Sequence, residues 1–173
     1  MKKASVLEWV TTLATLFGLF FVWRQLKQST FQLQQANQHK RWDNYNTMNE
    51  VYREMYNRLQ TNEYKQLQKP CLNYDTLELK EKAWIRSYYN LYAQEFDLDQ
   101  AGLLPKDMMD ETISRGFKFN LRQYPSIVEG FQPLIAEGAF SETSEFAIHV
   151  KTEIQTEEKS GPFPKCIPTL DIR

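Results

Sequence analysis

The stretch TTLATLFGLFFVWRQLKQSTFQLQQANQHK, residues 11–40, is apolar as far as Trp23 and glutamine-rich beyond it, and no glycine or proline separates the two halves. A helix that begins in the apolar half has no breaker at the point where its chemistry changes. One helix is therefore expected from about Ser5 to about Asn62, with Pro70 ending the region. The constraint is severe, because such a helix leaves an apolar environment and continues polar on nearly all sides.

Val6 to Trp23 holds one charge, Glu8, at its outer end. As a helix it covers roughly 27 Å at 1.5 Å per residue, slightly short of a ~30 Å hydrocarbon core. Trp9 and Trp23 stand near its ends, where interfacial indoles belong, with Lys2, Lys3, Arg24 and Lys27 flanking it. Trp9, Trp23, Arg24 and Lys27 are the candidate interfacial anchors. A cleaved signal peptide also has a basic start and an apolar core, but no small-x-small cleavage site follows Trp23. The expectation is a retained single-pass transmembrane anchor in contact with membrane lipid. Lys2 and Lys3 on one side and Arg24, Lys27, Lys40 and Arg41 on the other specify its orientation weakly. A cytoplasmic body is favoured by the absence of any Asn-x-Ser/Thr sequon or cysteine framework.

At 100° per residue the polar positions of the anchor line up. Ser5, Glu8, Thr12 and Thr15 share one face and Leu19 continues it. A lone anchor in lipid gains nothing from a polar stripe. Threonine can bond its own backbone, so a monomeric anchor with harmless threonines stands beside a helix–helix seam or water-facing wall. The same line continues through Leu26, Thr30, Leu33, Asn37, Arg41, Asn44, Met48, Val51, Met55 and Leu59. Gln25, Gln28, Gln32, Gln35, His39, Asp43, Asn46 and Glu50 form the opposite face. From Arg24 to Arg41 the apolar content is too thin to hold a helix on a globular core, which leaves a solvent-bridging helix or one packed against copies of itself. Polar residues at seam positions fix register in self-associating helices. The candidate pore or oligomer seam is Ser5, Glu8, Thr12, Thr15, Leu19, Leu26, Thr30, Leu33 and Asn37, with the chain itself as partner.

Beyond Trp42 the aromatic residues thicken: Tyr45, Tyr52 and Tyr56, then Trp84, Tyr88, Tyr89, Tyr92 and Phe96. At this spacing they read as packing. With 173 residues, 42% hydrophobic and 25% charged, the chain has enough for one folded domain plus an anchor. Asp75 with Glu78 reads as a helix start, and Pro105 as the first residue of a helix reaching about Leu121. Residues 126–136 form a short helix that Pro133 kinks or stops, closed by Gly138. Ser141 with Glu145 lies near another start. The run Phe146, Ile148, Val150 and Ile154 alternates in a way that also suits a strand. The expected fold class is all-α: an N-terminal transmembrane helix continuing into a long polar helix, followed by a compact helical body. The expected divisions are an anchor over 1–24, a helical stalk over 25–62, a helical cytoplasmic body over 63–156 and an irregular Pro-rich tail over 157–173.

The net charge of −1 gives no pull toward nucleic acid, and no direct nucleic-acid binding is expected. Asp97–Gly102, DLDQAG, starts like a calcium loop, but Ala101 and Met108 stand where oxygen ligands are needed. His39 and His149 lack a second ligand at helical spacing, and with Cys71 and Cys166 they miss the paired spacing of a zinc site. The cysteines read as free thiols in a reducing compartment, with a disulfide as the alternative. No phosphate loop, nucleophile elbow or metal-binding His pair occurs. No metal, no cofactor and no catalytic residue is expected.

The apolar Val6–Trp23, the Gln-rich Arg24–Lys40 and the aromatic body after Trp42 together resemble the small single-pass membrane protein that accompanies the RNA-targeting effector of type VI-B CRISPR systems. The resemblance is one of architecture. It implies a ring-shaped oligomer enclosing a membrane pore in a bacterial inner membrane, which enhances antiviral defence beside an RNA-guided effector by permeabilising or depolarising the membrane. A degenerate HEPN ribonuclease motif, Arg followed four to six residues later by His, has been suspected in that family, and neither His39 nor His149 has such an Arg. The alternatives are a membrane-tethered HEPN-like ribonuclease and an anchored protein-interaction module.

Overall fold

The computed structural model describes residues 6–69, 74–161 and 163. Every regular element among them is helical, and no strand is present among the described residues. The chain divides into two compact units, one up to Arg41 and one from Trp42. Helix α1, Val6–Leu59, belongs to both. Cys71, Cys166 and the expected seam residue Ser5 lie outside the described residues.

In the first unit every residue from Glu8 to Lys40 is exposed. No described helix is long and apolar enough to cross a membrane, which corrects the expected transmembrane helix. The reason is local. Glu8, Thr11, Thr12, Thr15 and Gly18 dilute the apolar run, and Arg24 and Gln25 follow it at once.

The second unit holds the core. Within it α1 turns Met55 and Leu59 inward, with Tyr45, Met48, Tyr52 and Tyr56 packed partly buried against the core. The end of α1 is closed by side chains: Gln68 Nε2 donates to Leu59 O at 2.5 Å and Thr61 Oγ1 to Arg58 O at 2.7 Å. Both carbonyls belong to the set a helix terminus leaves open.

Helix α2, Leu79–Gln100, starts one turn later than Asp75 suggests. Its capping box pairs Glu78 with Glu81, while Asp75 sits in the short 3₁₀ turn Tyr74–Thr76. Glu81, Trp84, Ile85, Tyr88, Tyr89, Tyr92 and Glu95 are buried at steps of one, three or four, so one face of α2 runs through the core. Trp84 Nε1 donates to Met55 O at 3.1 Å and Tyr89 Oη to Ile127 O at 2.5 Å, giving these two buried polar atoms partners. The DLDQAG stretch ends α2. Gly102 (φ 66) donates to Asp99 O and Leu103 to Leu98 O, the paired bonds of a Schellman motif. Gly138 (φ 77) closes the helix that ends at Ala136 the same way, through bonds to Ile135 O from its own N–H and to Leu134 O from Ala139.

Pro105 does not open a helix. The chain turns there, with Met108 N–H donating to Pro105 O and Asp107 at φ 62, and then makes a π-helical turn, Met109–Ile113, before α3, Ser114–Gln123. The wide turn keeps Met109 and Ile113 buried with Phe117 and Leu121. Helix α4, Pro125–Ala136, places Pro125 where its missing N–H is harmless and carries Pro133 without stopping there. Helix α5, Glu145–Ser160, starts at Ser144, whose Oγ accepts from Ala147 N–H at 3.2 Å. The alternating run is therefore helical: Phe146, Ala147 and Val150 are buried, and Ile148 is 55% exposed.

Helices α2 and α4 meet at Gly130. A Cβ there would lie 2.5 Å from Ile85 Cγ2, and Ile85 is itself fully buried and stiff at its branch. Gly130→Val is expected to lower stability by about 1–3 kcal/mol. Chemical denaturation of Gly130→Val, Ile85→Ala and the double variant checks this. The double variant should lose less than the sum of the singles, because Ile85→Ala opens the space that valine needs; strict additivity would mean that the two helices do not meet at this point.

Candidate functional site

Two regions hold chemistry that the core does not consume. The first is the exposed half of α1. Glu8, Thr12, Thr15, Leu19, Leu26, Thr30, Leu33 and Asn37 all lie exposed on one face of it, since their spacing keeps them within one angular sector. Three of the threonines are satisfied within the helix. Thr12 Oγ1 donates to Glu8 O at 2.8 Å, Thr15 Oγ1 to Thr11 O at 2.9 Å and Thr30 Oγ1 to Leu26 O at 2.9 Å. Their hydroxyls therefore demand no further partner, and Asn37 lies exposed on the same face. Trp9 is 65% and Trp23 57% exposed. Lys27 Nζ stands 5.4 Å from the centroid of the Trp23 ring, a cation–π pair, and Arg24 is exposed beside it.

The second region is a cavity of about 410 Å³ inside the unit that begins at Trp42. Residues Tyr45 to Asn57 of α1 form one wall, Tyr88 and Glu95 of α2 the floor, and Thr112 to Asn120, from the π-helical turn into α3, the other wall. π-Helical turns are found disproportionately at functional sites. Aromatic rings line the space: Tyr52 and Tyr56 stack at 6.5 Å, and Tyr52 meets Tyr88 edge-on at 5.9 Å. Asn120 Nδ2 donates to Tyr88 Oη at 3.1 Å. The Tyr56 hydroxyl is buried and has no hydrogen-bond partner among the described residues.

Glu95 is the unusual group. It is 2% exposed, and Tyr52 Oη donates to its Oε2 at 2.7 Å. Among the described residues no lysine, arginine or histidine forms an ion pair with it. Burial pushes its pKa up from 4.5 to about 7, and the Tyr52 hydrogen bond pulls it back only in part. Burial likewise raises Tyr52 and Tyr88 well above the ordinary tyrosine value. No motif marks Glu95 in the sequence. The available signal was its place on the aromatic stripe of α2, one turn beyond Tyr92 and two beyond Tyr88, where a carboxylate interrupts a core face.

His149 is half-buried, its Nε2 2.8 Å from Tyr92 Oη and its ring 5.0 Å from that of Phe96. His39 is exposed on α1. No family model, curated protein or solved structure matches the chain.

Proposed function

We propose that the protein is a homo-oligomeric membrane protein that acts without catalysis, several α1 helices together, rather than any one alone, entering a bilayer and making it permeable. The observation that carries this reading is the exposure of α1 from Trp9 to Trp23. Val10, Leu13, Leu16, Phe17, Leu19, Phe20, Phe21 and Val22 are all more than half exposed and point in every direction around the helix. Water is a poor solvent for such a surface, at roughly 25 cal/mol per Å².

From Trp9 to Trp23 the helix covers only about 21 Å. A short apolar helix meets a ~30 Å core by thinning it, by letting flanking basic residues reach the interface, or by associating with copies. Arg24 and Lys27 suit the second, and the exposed stretch from Arg24 to Lys40 suits the third. Helical on polar sequence with no core beneath it, that stretch gains most from packing against itself. A functional link to an RNA-guided effector rests on the architectural resemblance alone.

Full-length protein mixed with anionic vesicles should float with them through a density gradient. Phe17→Ser, Phe20→Ser and Phe21→Ser combined should leave it at the bottom. The mass of the detergent-solubilised protein should be that of several chains. Vesicles loaded with a potential-sensitive dye should depolarise with wild type and with Gln38→Leu, and much less with Asn37→Leu. A monomeric mass, or equal depolarisation by all three, would end the pore reading.

A second reading, an anchored ligand-binding module, is favoured by the cavity around Glu95.

A further inference from the structure

We propose that the cavity bounded by α1, α2 and α3 binds a small organic cation, an alkylammonium or quaternary ammonium compound, with Glu95 as its counter-ion and tyrosine rings as its walls. This does not depend on how α1 meets a membrane.

Three observations converge. The walls present Tyr45, Tyr52, Tyr56, Tyr88 and Phe117 to the space, and the faces of aromatic rings attract cations. A carboxylate lies at the floor, 2% exposed, with one tyrosine hydroxyl on it and no protein cation among the described residues. Buried charges are otherwise paired, because an unpaired one forfeits its hydration. The cavity, about 410 Å³, falls in the range of small-molecule sites. The remaining polar lining is mostly uncharged: Asn49, Asn57, Thr112 and Asn120. Arg53 also lines the space but is exposed, where solvent screens it, while the carboxylate is not screened.

Bound cation favours the ionised carboxylate, so binding and proton release are linked. Glu95 is about half protonated at pH 7 when the cavity is empty. The titratable groups that face it are Tyr52 and Tyr56 on α1 and Tyr88 and Tyr92 on α2, all raised above the ordinary tyrosine value, so none of these four changes charge between pH 5 and 8. Tyr45 and Arg53 of α1 also line the cavity. His149 on α5 contacts Tyr92 and is not part of the lining. Affinity for a cation should therefore be full at pH 8 and fall on acidification, by roughly 100-fold at pH 5. An uncharged ligand that accepts a hydrogen bond from protonated Glu95 would show the opposite trend.

The experiment is calorimetric titration of full-length protein in a non-ionic maltoside detergent at fixed ionic strength. The probes are tetramethylammonium, n-butylammonium and the uncharged 1-pentanol. Saturable binding of an ammonium probe at pH 8 is expected, weakening at pH 5, with 1-pentanol at least tenfold weaker. Two variants separate binding from folding. Glu95→Gln keeps the shape and an acceptor for Tyr52, and should lose both the affinity and its pH dependence. Gly116 lines the cavity, and a Cβ there meets no atom within 4 Å. Gly116→Leu should keep or raise the melting temperature, because leucine suits a helix better than glycine, while blocking the probe. The proposal is overturned if neither ammonium probe binds, if 1-pentanol binds as well at pH 8, if affinity rises toward pH 5, or if Glu95→Gln binds as wild type does.

Discussion

Phe117→Ala is expected to destabilise the protein by about 3–5 kcal/mol, the usual cost of deleting a buried ring together with the void it leaves. Phe117 is 2% exposed and sits among the tyrosines of α2. Its ring stacks on Tyr92 at 4.3 Å and on Tyr88 at 6.2 Å, and meets Tyr89 edge-on at 6.3 Å. Three rings thus lose a neighbour at once, and each aromatic pair is worth about 0.5–1.5 kcal/mol beyond burial. The stiff tyrosines cannot close the gap, because their hydroxyls are held by Asn120, Ile127 and His149. Phe119, two residues away on α3, is 65% exposed. Phe119→Ala should change stability by less than about 0.5 kcal/mol. Urea denaturation of the two variants side by side is the check. A loss at Phe117 no larger than at Phe119 would show that the aromatic cluster does not hold the body together.

Glu95→Gln should stabilise the protein above pH 7 and do nothing to its stability near pH 4. In the unfolded chain the carboxyl ionises around 4.5; in the folded protein burial holds it protonated up to about 7. Below pH 4.5 both states carry the proton and the group is neutral toward folding. Between 4.5 and about 7 the unfolded state loses its proton first, so stability falls as pH rises. Above 7 the folded state carries a buried carboxylate, a cost on the order of 3 kcal/mol at 1.36 kcal/mol per pKa unit. Glutamine never ionises and retains an oxygen for the Tyr52 hydroxyl. The difference in unfolding free energy between wild type and variant should therefore grow from pH 4 to pH 8. A difference that stays flat across that range would place the Glu95 carboxyl in water. An added ammonium ligand should narrow the gap at pH 8 by stabilising only the wild type.

The parts of the fold legible in the sequence are those set by neighbours along the chain. Helix α1 was readable from Ser5 to Asn62, against the observed Val6–Leu59, because it depends on an absence of breakers and a change of residues at its end. The burial of Trp84, Tyr88, Tyr89 and Tyr92 follows from helical spacing. The boundaries read less well wherever two local signals competed. Asp75 with Glu78 reads as a helix start, whereas the capping box forms three residues later, from Glu78 to Glu81, with Asp75 in the preceding 3₁₀ turn. Pro105 suits a first helical position, yet the chain turns there, with Asp107 at φ 62, and the helical path begins only beyond that turn. The expected membrane helix rested on the apolar run Val6–Trp23, and no described helix is long and apolar enough to cross a membrane by itself.

What the sequence alone determined is which segments are helical and which stripe of each is apolar, since both follow from backbone sterics, capping and periodicity within a few residues. The tertiary structure decided which polar groups are costly. Thr12, Thr15 and Thr30 fit either a polar seam or harmless threonines in the sequence, and the structure shows each hydroxyl bonded to its own helix. Glu95 read as one charge among many. It became a buried carboxylate only when α1, 43 residues upstream, brought Tyr52 onto it and the wall from Thr112 to Asn120 closed the other side. The energy of a charge depends on what surrounds it in space, and no local pattern in the chain records that.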